Sequence, residues 1–397
     1  MQVAPDIKWV GVLDPDLRVF DVVIPTKWGT TYNSYLIKAD KPCVIDTVKI
    51  NFTEEFLAKL EQEIPLEEIR YLIVNHTEPD HSGAVGALLE RAPQIEVFGS
   101  RAAIQFLREQ VNRDFTAHVV AHNQTLDLGN KTLRFIMAPF LHWPDTMFTY
   151  LEEDEILFTC DGFGSHYCDP QGRMFASEVG DFTEAIKHYY DSIMSPFKPK
   201  ILEAIAKIRP LSIKMIATGH GPILDQDLWR VVDLYHQWSE FGLRMNEPKK
   251  VVVGYASAYG HTKKMAELIA EGVRQVPDIE VVLLDMAQDD PEKIAAELQS
   301  FDGLILGSPT INADVVAPVW QALNAVSAIT SKGKLAAVFG NYGWSGEAAE
   351  LLENRLERMR LAVVQPALKV RFSLTAEDQQ RCLEFGERFA QAFVQQV

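Results

Sequence analysis

Short apolar runs, each closed by a polar or glycine-bearing loop, recur along the whole chain. In the first part, residues 22–25, 34–37 and 42–46 read as short strands, and 52–63 carries apolar residues at helical spacing. Residues 71–75 (YLIVN) are a continuous apolar run, as expected of a strand buried on both faces. A helix is expected at 83–91. Further strands are expected at 95–98, 132–137, 149–151, 156–160 and 215–218, with helical segments at Tyr189-Tyr190 and 200–208. Three strands run straight into a residue of metal-binding type: His76 after YLIVN, Asp161 after ILFTC and His220 after MIATG. Loops at strand ends bring residues distant in sequence to one edge of a packed sheet.

The pattern simplifies after the polar, proline-bearing stretch at 246–250, which reads as a domain boundary. Strands at 251–255, 281–285, 303–307, 335–340 and 363–370 alternate with helices at 262–273, 291–298, 317–326, 347–359 and 377–394. Such alternation implies a doubly wound parallel sheet. Two α/β domains, 1–248 and 249–397, are expected, since 397 residues exceed what one core usually holds.

Composition adds mainly exclusions. No run of about eighteen apolar residues occurs, so no membrane span is expected. The N-terminus lacks a basic stretch followed by an apolar core, so no signal peptide is expected either. The four cysteines, Cys43, Cys160, Cys168 and Cys382, form no C-x-x-C pair, which excludes a rubredoxin-type iron site or a zinc ribbon. They read as small core residues of a cytoplasmic protein. A net charge of −17 argues against nucleic acid as a partner and is compatible with a basic patch on a partner protein.

His76-Thr77-Glu78-Pro79-Asp80-His81 sets four potential ligands within six residues. In extended backbone, residues two apart face the same side. His76, Glu78 and Asp80 are therefore expected to converge while His81 points elsewhere, which suits two adjacent metals better than one. Imidazoles with several carboxylates form a harder donor set than thiolates, favouring iron or manganese, with zinc a competitor. Asp161 leaves an apolar strand onto a glycine-containing turn and is the candidate for a bridging carboxylate. His142, in LHWPD at 141–145, and His220, between two glycines, complete the candidate set. Asp145 reads either as support for a ligand or as a turn residue. A lone histidine after a strand is more often a core or surface residue, so the specificity lies in the H-x-E-x-D-H string.

Ser257-Ala258-Tyr259-Gly260-His261-Thr262 follows a strand and opens a helix. Small and hydroxyl residues there let backbone N–H groups approach a phosphate, and the helix N-terminus favours its charge. Neither G-x-G-x-x-G nor a P-loop is present. The loop has the hydroxyl-rich character of a flavin mononucleotide (FMN) phosphate site. Ser308-Pro309-Thr310-Ile311-Asn312 and Asn341-Tyr342-Gly343-Trp344-Ser345 fall at strand C-termini of the same sheet, the edge where open α/β sheets bind ligands. Tyr342 and Trp344 are candidates to flank a planar isoalloxazine, although Trp344 alone is as readily a packing residue.

Together these motifs resemble the flavodiiron proteins, or A-type flavoproteins, over essentially the whole chain. The matching stretches are H-x-E-x-D-H at 76–81, LHWPD at 141–145, CDGFGSHYCD at 160–169, GHG at 219–221, GTTYNSY at 29–35 and the three flavin loops. The resemblance implies an N-terminal metallo-β-lactamase-like αββα sandwich joined to a C-terminal flavodoxin-like doubly wound parallel sheet. It implies one non-haem iron on His76, Glu78 and His142, the other on Asp80, His81 and His220, with Asp161 bridging. Hydrolases of the fold carry a histidine where Glu78 stands. The implied activity is reduction of dioxygen to water, of nitric oxide to nitrous oxide, or both. FMN would pass electrons from a separate donor, a rubredoxin-type protein or reduced coenzyme F420, to the diiron centre. A homodimer or homotetramer built of head-to-tail dimers is implied. Tyr189 and Tyr190 read first as core-packing residues, with either one a candidate to donate a hydrogen bond in the pocket. One departure stands out. Many family members carry a histidine in an F-H-G-Y stretch before the GTTYN segment, where this chain has Phe20-Asp21-Val22-Val23. That histidine's role is not transferred to Asp21.

Overall fold

The structure is a computed structural model that describes residues 1–243 and 248–394. It divides into two compact units, Met1–Leu243 and Arg244–Val397. The expected boundary stretch begins at 246 and 247, which lie outside the described residues.

In the first unit, alternate side chains of the same short strands enter two different cores. Leu36, Val44, Leu72 and Val74 join a cluster with Phe56, Leu57 and Leu60 of the helix Thr53–Glu63. Their strand neighbours Tyr35, Ile37, Ile45 and Ile73 join a second cluster with Leu133, Phe135, Met147 and Phe158. A strand buried on both faces has no polar side, which is why YLIV reads as a continuous apolar run. Truncating one such residue, for example Leu72→Ala, costs about 2–5 kcal/mol.

The second cluster brings together two sheets. One runs in the order Gln2–Ala4, Ile7–Trp9, Tyr35–Ile37, Cys43–Ile45, Tyr71–Val74, Glu96–Gly99, Ala117–Val119. The other runs Thr125–Asp127, Thr132–Met137, Met147–Leu151, Ile156–Cys160, Met215–Thr218. With helices on the outer faces, the unit is the expected αββα sandwich.

Three local readings are corrected. Only Ile24–Pro25 of the expected strand at 22–25 is a strand, paired with Val19–Phe20. Asp21 and Val22 make the turn between, both at positive φ. The loop expected at 76–81 ends in a short helix, Pro79–Ser82. The N-terminal strands and the helix Arg101–Val111 were not anticipated, the strands because three residues are too few to show a period.

The second unit has its strands in the order Ile279–Asp285, Lys249–Tyr255, Gly303–Ile311, Leu335–Tyr342, Ala362–Val363, all parallel. That is the 2-1-3-4-5 order of a flavodoxin-like sheet. The expected fifth strand at 363–370 is broken into Ala362–Val363 and Leu368–Arg371, both parallel to Leu335–Tyr342. Separate apolar clusters cover the two faces, one including Val252, Leu304 and Val338, the other Val253, Ile305 and Phe339. Among the described residues, no helix is long and apolar enough to cross a membrane.

Candidate metal centre and flavin loops

Asn75 fixes the strand end that delivers His76. Its N–H donates to Asp46 Oδ1 at 2.7 Å, its amide to Asp46 Oδ2 at 3.1 Å, and Thr149 donates to its Oδ1 at 2.7 Å. Residues 76–78 stay outside regular structure, and Pro79 at the first helical position then turns the chain. This overturns the alternation reading. Asp80 leaves His76 and Glu78 and joins His81, because both lie on the helical turn.

The ligand atoms of His76, Glu78, His142 and Asp161 lie within 4.8 Å of one another, as do those of Asp80, His81 and His220. Asp161 faces both groups. Its Oδ2 is 3.3 Å from both His76 Nε2 and His142 Nε2. Its Oδ1 is 2.9 Å from His81 Nε2 and 3.4 Å from His220 Nε2. Glu78 Oε2 lies 2.8 Å from His142 Nε2, and Asp80 Oδ2 lies 3.1 Å from His220 Nε2. Six of the seven side chains are buried; His142 is half-buried.

Surrounding groups turn two of the imidazoles, His76 and His220, so that Nε2 faces inward. His76 Nδ1 lies 3.2 Å from Asp145 Oδ2, which also accepts from Thr77 N–H at 2.7 Å and Thr77 Oγ1 at 2.8 Å. Asp145 is thus a support, not merely a turn residue. His220 Nδ1 donates to the Thr31 carbonyl at 2.7 Å. Such partners fix tautomer and orientation in metal sites. Of the two tyrosines, Tyr189 donates to Asp161 Oδ1 at 3.0 Å, whereas Tyr190 bonds Ser239. Gly219 is required by space, since a Cβ there would sit 2.8 Å from His81 Cε1.

Electrostatics show what the cluster lacks. Against the effect of burial, Asp80 and Asp161 hold His81 at about 9, and Asp161 and Glu78 hold His142 at about 9. Burial opposes ionisation of Asp161 as well, yet His81 and the other imidazoles keep it well below the usual carboxylate range. Protons on the imidazoles therefore stand in for cations. Both Asp80 carboxylate oxygens and Asp161 Oδ2 are buried without a hydrogen-bond partner among the described residues. Buried charge of that kind is costly unless paired or coordinated to metal. The donor set therefore fits two divalent ions of the iron type. Cys160 also lies within 4.8 Å of His81 and Asp161, but burial pushes its thiol well up, so it stays protonated.

The flavin loops are built differently. Gly260, at φ +86°, ends the first loop and caps the helix His261–Arg274, and its N–H donates to Ser257 Oγ at 3.1 Å. Thr262 is buried, Ser257 and His261 half-buried, and Ala258 exposed; Tyr259 and Trp344 are 89% and 90% exposed. Ile311 and Asn312 are exposed, Pro309, Thr310, Tyr342, Gly343 and Ser345 half-buried. Two side chains turn inward. Asn341 donates to the Val370 and Phe372 carbonyls at 3.1 and 2.8 Å, tying strand ends together. Ser308 accepts from Val316 N–H at 3.2 Å. The loops thus offer backbone and exposed rings.

The family model described as ODP family beta lactamase matches residues 30–221, and the flavodoxin model matches 253–386. A type A flavoprotein from Rhodobacter capsulatus is 41% identical over 394 residues, spanning 98% of this chain and 90% of the relative. A flavo-diiron protein from Clostridium acetobutylicum is 39% identical, spanning 99% of each. The chain belongs to the flavodiiron proteins. A relative from Moorella thermoacetica named nitric oxide reductase is 36% identical, over 97% of this chain and 96% of its own. Among solved structures, the rubredoxin oxygen:oxidoreductase of Desulfovibrio gigas superposes with a TM-score of 0.73 at 28% identity, covering 99% of this chain and 98% of that one. As a flavodiiron protein, the chain is an oxidoreductase.

Two residues near the ligand set of this flavodiiron chain lie outside it: Asp21, which the sequence marks as a departure from the family, and His166, which it does not mark. Asp21 is raised to about 6 by partial burial and by the Glu78 carboxylate, so it borders the pocket. His166 drew no attention inside CDGFGSHYCD. It is buried, with ring centroids 4.3 Å from Phe20, 4.8 Å from Tyr189 and 5.4 Å from His220. Burial, then His220, pushes it well below the ordinary histidine value. Its position five residues past the aspartate that follows a strand is the one hint the sequence holds.

Proposed function

We propose that this flavodiiron protein reduces dioxygen to water, nitric oxide to nitrous oxide, or both. The proposed diiron ligands are His76, Glu78 and His142 on one side, Asp80, His81 and His220 on the other, and Asp161 between. The observation that carries the reading is the division of Asp161's two oxygens between two donor groups. When bound, the irons would supply electrons and paired Lewis-acid positions to a diatomic gas, and FMN at loops 257–262, 308–312 and 341–345 would relay electrons to them.

The protein's own part is to hold charge and direction. Asp145 and the Thr31 carbonyl keep His76 and His220 with Nε2 inward. Tyr189 holds a proton at its hydroxyl against Asp161, and burial keeps that phenol from ionising. His142 is the one half-buried ligand, so a small gas enters on its side. Electrons come from a separate donor, a rubredoxin-type protein or reduced coenzyme F420. The names of the Desulfovibrio and Moorella proteins support a redox partner and these two gases. A homodimer or homotetramer of head-to-tail pairs is the assembly the family resemblance favours.

The test is anaerobic mixing of the chemically reduced protein with oxygen and with nitric oxide in separate runs. Flavin reoxidation faster than that of free FMN with at least one gas is expected. No acceleration with either would defeat the reading.

A further inference from the structure

Most polar groups buried in a folded protein have a hydrogen-bond partner, and an imidazole left without one weakens the fold. His166 is 1% exposed, and neither ring nitrogen has a partner among the described residues. The orphaned oxygens of Asp80 and Asp161 are accounted for by the proposed metals. Tyr32 Oη, His81 Nδ1 and Asp145 Oδ1 also lack a partner, but among the described residues His166 is the one buried imidazole with both nitrogens so left. His166 belongs to neither group of ligand atoms. Nor does packing explain it, since an apolar side chain would fill the space between Phe20, Tyr189 and His220 without stranding two nitrogens.

Its place is informative. Tyr189, whose ring it meets nearly edge-on, is committed to Asp161 through its hydroxyl. His220, 5.4 Å away by ring centroid, belongs to the Asp80–His81 group. The imidazole therefore sits against one side chain that reaches Asp161 and one that belongs to the Asp80–His81 group. A neutral imidazole offers one N–H donor and one acceptor.

We propose that His166 is a substrate-positioning residue: its N–H donates a hydrogen bond to the small anionic or diatomic ligand taken up beside the Asp80–His81–His220 group. The inference rests on the proposed diiron reading. The cost of an unpartnered side chain in the resting protein is offset when ligand arrives.

Azide is a suitable probe, being small, anionic and a hydrogen-bond acceptor. The iron-loaded full chain would be titrated with sodium azide and followed by absorption, for the wild type, His166→Leu and His166→Asn. The leucine variant is expected to raise the azide dissociation constant about tenfold, as for loss of a hydrogen bond to a charged group. The asparagine variant, which keeps an N–H donor, is expected to stay within about threefold. Iron content should be unchanged, and the melting temperature of the metal-free leucine variant should not fall, because it removes two unsatisfied atoms. An unchanged azide constant in the leucine variant overturns the proposal, as does absence of azide binding by the wild type. Equal loss in both variants, with iron loss or a lower melting temperature, also overturns it by showing a structural role. Wild-type protein that reoxidises with either gas but fails these titrations leaves the diiron reading standing. Wild-type protein inert to both gases removes that reading itself.

Discussion

The two sites of this chain use opposite halves of protein chemistry. The metal centre is a cage of side chains, nearly all buried, with His76 and His220 turned by partners behind them. The flavin loops are a run of backbone at strand ends, with Tyr259 and Trp344 standing almost wholly in solvent and Asn341 facing inward. A buried cage of charges depends on every member, because removing one strands the others. A backbone cradle depends on its turns. Substitutions of side chains should therefore hurt the first site, and substitutions that change backbone freedom the second.

The sharpest break is Glu78→Ala combined with Asp161→Ala. Iron should be lost and gas-dependent flavin reoxidation should fall by at least about a hundredfold, beyond the range for supporting residues. FMN content should stay at the wild-type level, since the flavin loops lie in the other unit. Elemental analysis and stopped-flow absorption read both quantities, and unaltered gas consumption would remove the centre from the reaction.

Next in size is Asp145→Ala, which strips the acceptor from His76 Nδ1 and from Thr77 N–H together. Iron affinity should drop about ten- to hundredfold with the seven proposed ligands intact. Competition with a chelator measures it; an unchanged affinity would mean that His76 is oriented by other contacts.

On the flavin side, Gly260→Ala should weaken FMN binding about tenfold, because φ +86° costs an L-residue roughly 1–2 kcal/mol. Nothing crowds the added methyl, so backbone strain is the only cause. Trp344→Ala should cost less. Fluorescence titration ranks the two, and the reverse order would show that the ring, not the turn, holds the flavin.

The smallest effect concerns pH. In metal-free protein, His81 and His142 are held up at about 9. The stability this confers is fully present below their unfolded value, about 6.5, and is lost as pH rises through 9. Melting temperature of the metal-free form should fall by roughly a few degrees across that window. Iron-loaded protein should not show the decline, since ligated imidazoles hold no extra proton. A flat metal-free profile would contradict the charge assignment.

The same contrast explains what was legible in the sequence. The flavin half was readable from pattern, because strands and helices alternate cleanly and the loops follow the strands; only the break between Val363 and Leu368 was hidden. In the metal half, residue chemistry announced His76 to His81, but period-two alternation grouped them wrongly, since Pro79 begins a helical turn. That Tyr189 rather than Tyr190 meets Asp161 depends on where one helix face points, which two adjacent tyrosines do not reveal. His166 was invisible for a related reason: its significance lies in partners it lacks, and a sequence lists residues, not their neighbours.

The central claim is that Asp161 joins two donor groups suited to iron. Metal analysis of full-length protein purified from iron-replete cells tests it most directly. Two iron ions and one FMN per chain are expected, with the iron lost and the FMN retained on substituting Glu78 and Asp161 together. Two zinc ions per chain and no iron would contradict the account.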